Sequence, residues 1–223
     1  MSSASHFWEL ILGTVVTLLP IINPLASTPV LLVITEGDSE ERRRAQVKRS
    51  CLYMMAILMA ALLGGTFIMN FFGISIPGLR IAGGLLVSGI GFAMLAPRRE
   101  DAEERRRHEE ARAKRDVSFS PLAMPMLSGP GSIAATIGLA SLATHWLDYV
   151  AIVLGFAIVA IVSYLTLSLA GRIVQLIGAN GMSALTKIMG FLIFCIGIQF
   201  VVNGVINIAT DPAVVHALRG GTP

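Results

Sequence analysis

Long apolar runs alternate with short polar intervals along the whole chain. Six of these runs, about 7–34, 51–73, 79–96, 121–142, 147–170 and 185–208, read as helices. Each is near the roughly 20 residues that a bilayer core demands. The first is 28 residues long. As one straight helix it would measure about 42 Å against a hydrocarbon core of about 30 Å. It must tilt or break, and Pro20, Pro24 and Pro29 inside it point to a break, because proline lacks the N–H and clashes with the carbonyl four residues back.

The same interruption occurs twice. Pro20, Pro24, Ser27 and Pro29 match Pro121, Pro125, Ser128 and Pro130 at a constant offset of 101 residues. Further on, Leu79, Gly84, Leu86, Ile90 and Gly91 match Leu185, Gly190, Leu192, Ile196 and Gly197 at an offset of 106. The pattern divides a single transmembrane domain over 1–223 into a first repeat, about 1–96, a charged loop, about 97–118, a second repeat, about 119–208, and a short tail, 209–223. Three helices per half invert the second half in the membrane, the plan of many secondary transporters, whose sites lie at interrupted helices. The expected fold is therefore all-α, with six spans in two inverted three-helix repeats and with helices 1 and 4 broken at the proline motifs. The repeat is uneven: thirteen mostly apolar residues, Phe7 to Leu19, precede Pro20, and almost none precede Pro121.

Composition sharpens the class. Hydrophobic residues make up 54% and charged residues 14% of the chain, with a mean hydropathy of +0.74; soluble domains carry about 25% charged residues. The charges are unevenly placed. Arg42, Arg43, Arg44, Lys48 and Arg49 fill interval 35–50, eight basic residues fill 97–118, and Arg172 and Lys187 lie between helices five and six. Only Arg80 and Arg219 fall on the other side. The positive-inside rule then places both termini outside, which is periplasmic in a bacterium. No Lys or Arg precedes Arg42, so the first run lacks the basic start of a secretory signal and is expected to be retained. Interval 97–118 mixes these bases with seven acids and offers favourable i,i+4 pairs such as Asp101–Arg105. It reads as a solvated helical extension or a linker, with His108 exposed in it, and its mixed sign argues against nucleic acid.

The spans carry no carboxylate near their middle, and Arg80 and Lys187 fall near helix starts. A charge at the bilayer centre is costly and usually functional, so a classical acidic proton relay and a strongly charged substrate are disfavoured. What remains is neutral and polar. Ser128-Gly129-Pro130-Gly131 reads as a helix start, with Ser128 or Gly129 as N-cap and Pro130 in the first turn. Its N–H groups suit a carboxylate. Asn23 offers both donor and acceptor. The candidate substrate site is Asn23, Pro24, Ser27 and Pro29 with Pro125, Ser128, Gly129, Pro130 and Gly131, joined by Gln199 and Asn203 on one face of helix six. The competing reading is structural: Asn23 and Ser27 satisfy backbone groups freed by proline, and Gln199 and Asn203 bond between helices. Gly83, Gly84, Ser88, Gly89 and Gly91 suit close helix packing. Four histidines, His6, His108, His145 and His216, lie at termini or in loops. No phosphate loop, zinc spacing or nucleophile–base set is found, so neither catalysis nor a metal or cofactor is expected. Cys51 and Cys195 are too few for a disulfide framework and read as small apolar residues.

These residues also carry a resemblance. Ile22-Asn23-Pro24-Leu25, the run from Phe72-Gly73-Ile74 through Pro77-Gly78-Leu79-Arg80 to Gly83-Gly84-Leu85, Pro121-Leu122-Ala123-Met124-Pro125 with Gly129-Pro130-Gly131, and Met189-Gly190-Phe191-Leu192 with Gln199-Phe200 and Asn203-Gly204 together resemble the MarC family of bacterial inner-membrane proteins. The resemblance implies six helices, a distant relation to LysE-type exporters and kinship with members regarded as neutral amino-acid transporters. Ala26 stands where the family's commoner motif has glycine after Asn-Pro-Leu. The expectation is an inner-membrane secondary transporter of small neutral solutes, amino acids foremost, with lipids as its other partners and a homo-oligomer compatible with the sequence. Drug or toxic-metabolite efflux, thiol redox chemistry through Cys51 and Cys195, and a non-transporting scaffold are the alternatives.

Overall fold

The structure, a computed structural model, describes residues 3–96, 116–212 and 214. The described residues form helices and turns with no strand. The order is α1 (Ser3–Ile22), α2 (Pro24–Ile34), α3 (Glu40–Phe72), α4 (Ile76–Leu95), α5 (Ser118–Leu127), α6 (Pro130–Ala140), α7 (Trp146–Ser168) and α8 (Ala170–Ala209). Five stretches are long and apolar enough to span a membrane: Ser5–Ile34, Glu40–Phe72, Ile76–Leu95, Trp146–Ser168 and Asn180–Ala209. The pair α5–α6, bent by 62°, makes the sixth.

The boundaries depart from the apolar pattern at two places. Helix α3 begins at Glu40, not near residue 51, so Arg42 to Arg49 stand on its first turns. Ser39 caps it by accepting from Arg42 N at 3.3 Å, and Glu40 and Glu41 suit the positive helix start. Helix α8 has an added stretch from Ala170 that breaks at Gly178, whose φ of 72° and ψ of 170° suit only glycine, and its spanning part runs from Asn180, close to the expected start near 185. The acid–base pairs expected within 97–115, together with His108, His216 and Arg219, lie outside the described residues.

The core runs through most of the bundle. Leu18, Leu31, Met54, Leu58, Leu122, Leu127, Ile152 and Phe156 are buried in one cluster. The outward faces of the spans are apolar too. Leu12, Val16, Leu63, Phe67, Leu85, Phe92, Ile161 and Val205 are exposed, as lipid-facing residues are. Trp8 and Trp146, both exposed, mark one end of the bundle at the level where amphipathic rings favour an interface. The other end carries Arg42 to Arg49 and Arg172 and is called the basic end below.

Helices α4 and α8 share the broadest contact in the bundle. A Cβ built on Gly84 would lie 2.6 Å from Gly197 O, one on Gly91 2.4 Å from Phe194 N and 2.7 Å from Gly190 O, and one on Gly204 2.9 Å from Pro77 O. The register falls on one helix as it rises on the other, so the two run antiparallel with their backbones touching. Lipid tails are as apolar as leucine, so helices associate in a bilayer through such close approach. The small residues of α4 are used as the sequence suggests, apart from Gly89, which has nothing within 4 Å of a built Cβ.

Candidate functional site

The first interruption is a single residue. Pro24 cannot donate, and the chain turns at Asn23 with φ 45° and ψ 64°, a left-handed conformation that asparagine tolerates better than most. Asn23 caps α2: its Oδ1 accepts from Ala26 N at 3.2 Å. Ser27 Oγ donates to Asn23 O at 3.3 Å, and Thr28 Oγ1 donates to Leu25 O at 2.7 Å. The structural reading of these side chains is therefore right in part. It leaves one atom over: Asn23 Nδ2 is buried and has no partner.

The second interruption is longer. Ser120 and Met124 are extended, and each precedes a cis proline, Pro121 and Pro125. Wide i,i+5 bonds, Leu122 N to Val117 O at 3.1 Å and Ser128 N to Ala123 O at 2.8 Å, hold α5 between them. Helix α6 then starts afresh with Gly129 as N-cap and Pro130 at its first position, as the sequence indicates, and no side chain caps it. Its first N–H groups are left open, as at any uncapped helix start. Ser132 Oγ turns back to Gly129 O at 2.9 Å. Ser128 Oγ is buried with no partner. Each interruption thus holds one buried polar atom without a hydrogen bond, a state that costs roughly 1–3 kcal/mol in a protein interior.

The two interruptions approach each other. A Cβ built on Gly131 would lie 2.8 Å from Val87 Cγ2 and 3.5 Å from Ile21 Cγ2. Glycine here lets the start of α6 press on Val87 of α4, while Ile21 at the end of α1 lies at ordinary contact distance. The expected site residues divide accordingly. Asn23, Pro24, Ser27, Ser128 and Gly131 are buried, whereas Pro29 and Gly129 are half-buried and Pro125 and Pro130 exposed. Gln199 and Asn203 are also exposed, and Gln199 Nε2 donates to Asn203 Oδ1 at 2.9 Å. They bond within α8 rather than between helices.

A cavity of about 320 Å³ opens beside this region at the end opposite the basic one. Thr17 of α1, Arg80 of α4, Ala134, Ala135, Gly138 and Leu139 of α6, Leu142, and Phe200 and Asn203 of α8 line it. Ala134 is about one turn along α6 from Pro130, so the cavity ends about one turn short of the second interruption. Gln199 is not among its walls. Arg80 and Thr17 were not marked as site residues by sequence; Arg80 carried a signal, as one of only two basic residues on its side.

At the basic end the two interrupted segments are tied to α3. Buried Gln46 spans them: Nε2 donates to Asp38 Oδ2 at 2.6 Å and Oε1 accepts from Val117 N at 3.0 Å. Arg43 Nε donates to Thr35 Oγ1 at 3.0 Å, and Arg49 Nη1 donates to Asp116 Oδ2 at 2.9 Å. Asp116 Oδ1 also accepts from Ser118 N at 2.8 Å and from Ser118 Oγ. The Ser118 hydroxyl and amide first, with Arg49 adding to them, hold the Asp116 carboxyl below the usual carboxylate range. At this end a pocket of about 30 Å³ lies between α3 and the α7–α8 corner. Cys51 is buried and Cys195 exposed, and both are free thiols. No cluster of metal-binding side chains occurs among the described residues.

Six apolar spans, lipid-facing leucines and phenylalanines, and an interrupted span in each half of the chain define a polytopic helical membrane protein. The chain belongs to the MarC family: residues 8–209 match the MarC family integral membrane protein description. The inner membrane protein MarC of Citrobacter koseri is 40% identical over 208 residues, covering 88% of this chain and 94% of that protein. The protein of the same name from Salmonella typhimurium is 41% identical with the same coverage. No solved structure matches.

Proposed function

We propose that the protein is a secondary transporter of small solutes with no net charge, amino acids foremost, and that the solute passes between the two interruptions. The carrying observation is that two of the five buried side-chain atoms without a partner among the described residues, Asn23 Nδ2 and Ser128 Oγ, fall one in each interruption. In hydrocarbon, broken backbone is tolerated only in protein or beside a wet cavity, and here a cavity ends one turn away. Open N–H groups at the start of α6 suit a carboxylate. Asn23 Nδ2, a free donor, suits the same carboxylate, and Asn23 Oδ1 with the carbonyl groups near it suits an ammonium.

An inverted repeat is part of this reading, and the glycine packing between α4 and α8 supports it. Gly84 corresponds to Gly190 and Gly91 to Gly197, and Gly84 packs on Gly197 while Gly91 packs on Gly190. Each glycine meets the counterpart of the other, the exchange that a two-fold axis generates. With the basic end cytoplasmic by the positive-inside rule, the cavity lies in the outer half and the Gln46 and Arg49 ties lie at the inner end. On this reading the arrangement corresponds to an outward-facing state of an alternating-access cycle.

Proteoliposome uptake of labelled alanine and glycine tests the reading. Asn23→Ala and Ser128→Ala are expected to cripple flux while the purified proteins still melt cooperatively. Full flux in both would retire the site, and no flux of any small neutral solute by the unaltered protein would retire the function.

A further inference from the structure

We propose that the outward cavity is a capture site for a carboxylate, with Arg80 as the group that holds it. This goes beyond the transport reading by naming a recognition residue away from the two interruptions, and it rests on that reading only for what happens to the solute next. Arg80 is half-buried on the first turns of α4 and faces the cavity with Thr17, Ala134, Phe200 and Asn203. No carboxylate among the described residues lies within ion-pairing distance of it. Among the described residues its one partner is a neutral amide. With the Asn207 side chain turned so that its oxygen faces the guanidinium, Arg80 Nη1 donates to it at 2.7 Å, and Asn207 Nδ2 donates to Asn203 O at 3.2 Å. That bond fixes one nitrogen against α8 and leaves the remaining donors of the fork for a ligand.

Arg80 lies on the first turns of α4, where a basic side chain can reach the interface, and it lines the cavity among neutral residues. A planar fork with free donors matches a carboxylate, which it can bind through two parallel bonds. The rest of the lining sets the size and net charge of the ligand. Ala134 and Phe200 supply apolar wall, Thr17 and Asn203 supply neutral polar groups, and no acid competes for the guanidinium. At about 320 Å³ the cavity is at the small end of ligand sites. The ligand class is a small monocarboxylate, zwitterionic amino acids included. The carboxylate lands on Arg80 and lies near the floor at Ala134, from which the open N–H groups of α6 are one turn deeper.

The test is binding to purified full-length protein, read by thermal shift and titration calorimetry. The probes are glycine and alanine, propionate and lactate as carboxylates without an ammonium, and glycinamide and ethylamine as amines without a carboxylate. The expected result is stabilisation by the first two pairs and none by the amines. Arg80→Gln should weaken binding about tenfold or more, as loss of a charge-assisted bond does, and Arg80→Lys should recover part of it. Phosphocholine and glycerol phosphate are included to separate a lipid headgroup from a free solute. Stabilisation by these alone, by amines as well as carboxylates, or equally in Arg80→Gln overturns the proposal. Arg80→Met, which keeps the stem without the charge, guards against a variant that fails to fold. Carboxylate binding that depends on Arg80, without flux in proteoliposomes, would remove the transport reading and leave this site standing.

Discussion

Asn23 combines two requirements that single substitutions can separate. Its backbone needs the left-handed region, and its side chain caps α2 through Oδ1 while leaving Nδ2 unbonded. Asn23→Gly keeps the backbone freedom and should cost only a few tenths of a kcal/mol as a cap, about 1 kcal/mol less than a residue that can do neither. It removes the amide, so its flux should fall while its melting temperature barely moves. Asn23→Val is expected to lower the melting temperature clearly, because a β-branched residue at positive φ is strained. Equal flux in Asn23→Gly and the unaltered protein would show that Nδ2 serves no solute. At Asp116 the prediction concerns pH. Its carboxyl is held below its ordinary value, so its stabilising ties to Ser118 and Arg49 are present at neutral pH and are lost only as pH falls below about 4, through its own lowered value. Asp116→Asn should therefore flatten the acid limb of a stability–pH curve and leave stability above pH 5 less sensitive to pH than to the loss of the pair itself.

Among the elements, the α4–α8 pair gives the sharpest contrast. Gly91→Ala and Gly197→Ala place a methyl 2.4 Å from backbone nitrogen of the facing helix, which cannot yield as a flexible side chain would. Overpacking of this kind costs typically about 1–3 kcal/mol, read as a lower melting temperature in detergent. Gly89→Ala, two residues before Gly91, meets nothing within 4 Å and should be neutral or slightly stabilising. The spans themselves were legible because each needs a run of apolar residues and little else. The restart of α6 at Gly129-Pro130 was legible for a local reason too, since proline without its N–H belongs at a first helical position. Two boundaries were not. Glu40 to Lys48 reads as loop because it is charged, yet those residues extend α3 beyond the apolar run. Residues 170–184 mix glycine with polar residues, and the short helical stretch before the break at Gly178 follows only once α7 delivers the chain there. Arg80 was visible as an odd charge, but its facing a cavity depends on α1, α6 and α8, which are remote in sequence.

For the molecule as a whole, on the transport reading proposed above, the ties at the basic end and the cavity at the other belong to one state of a two-sided device. Gln46 bonds to Asp38, in the link after α2, and to Val117, the residue before α5. Gln46→Ala should loosen that closure and shift the population toward its opposite. A cysteine placed at Ala134 in a background without Cys51 and Cys195 reports this: an impermeant thiol reagent added outside should label it in the otherwise unaltered protein and label it more slowly after Gln46→Ala. Unchanged labelling would mean that the ties do not govern access. The seam between α4 and α8 bears on which parts could move in such a shift. Ile81 and Met94 of α4 sit over Gly204 and Gly190 of α8, and Phe200 of α8 sits over Gly84 of α4. Side chains of each helix are thus keyed into bare places on the other, which resists gliding as well as parting. On the transport reading the two helices travel as one rigid body, and the movement has to fall at their borders with the rest of the bundle.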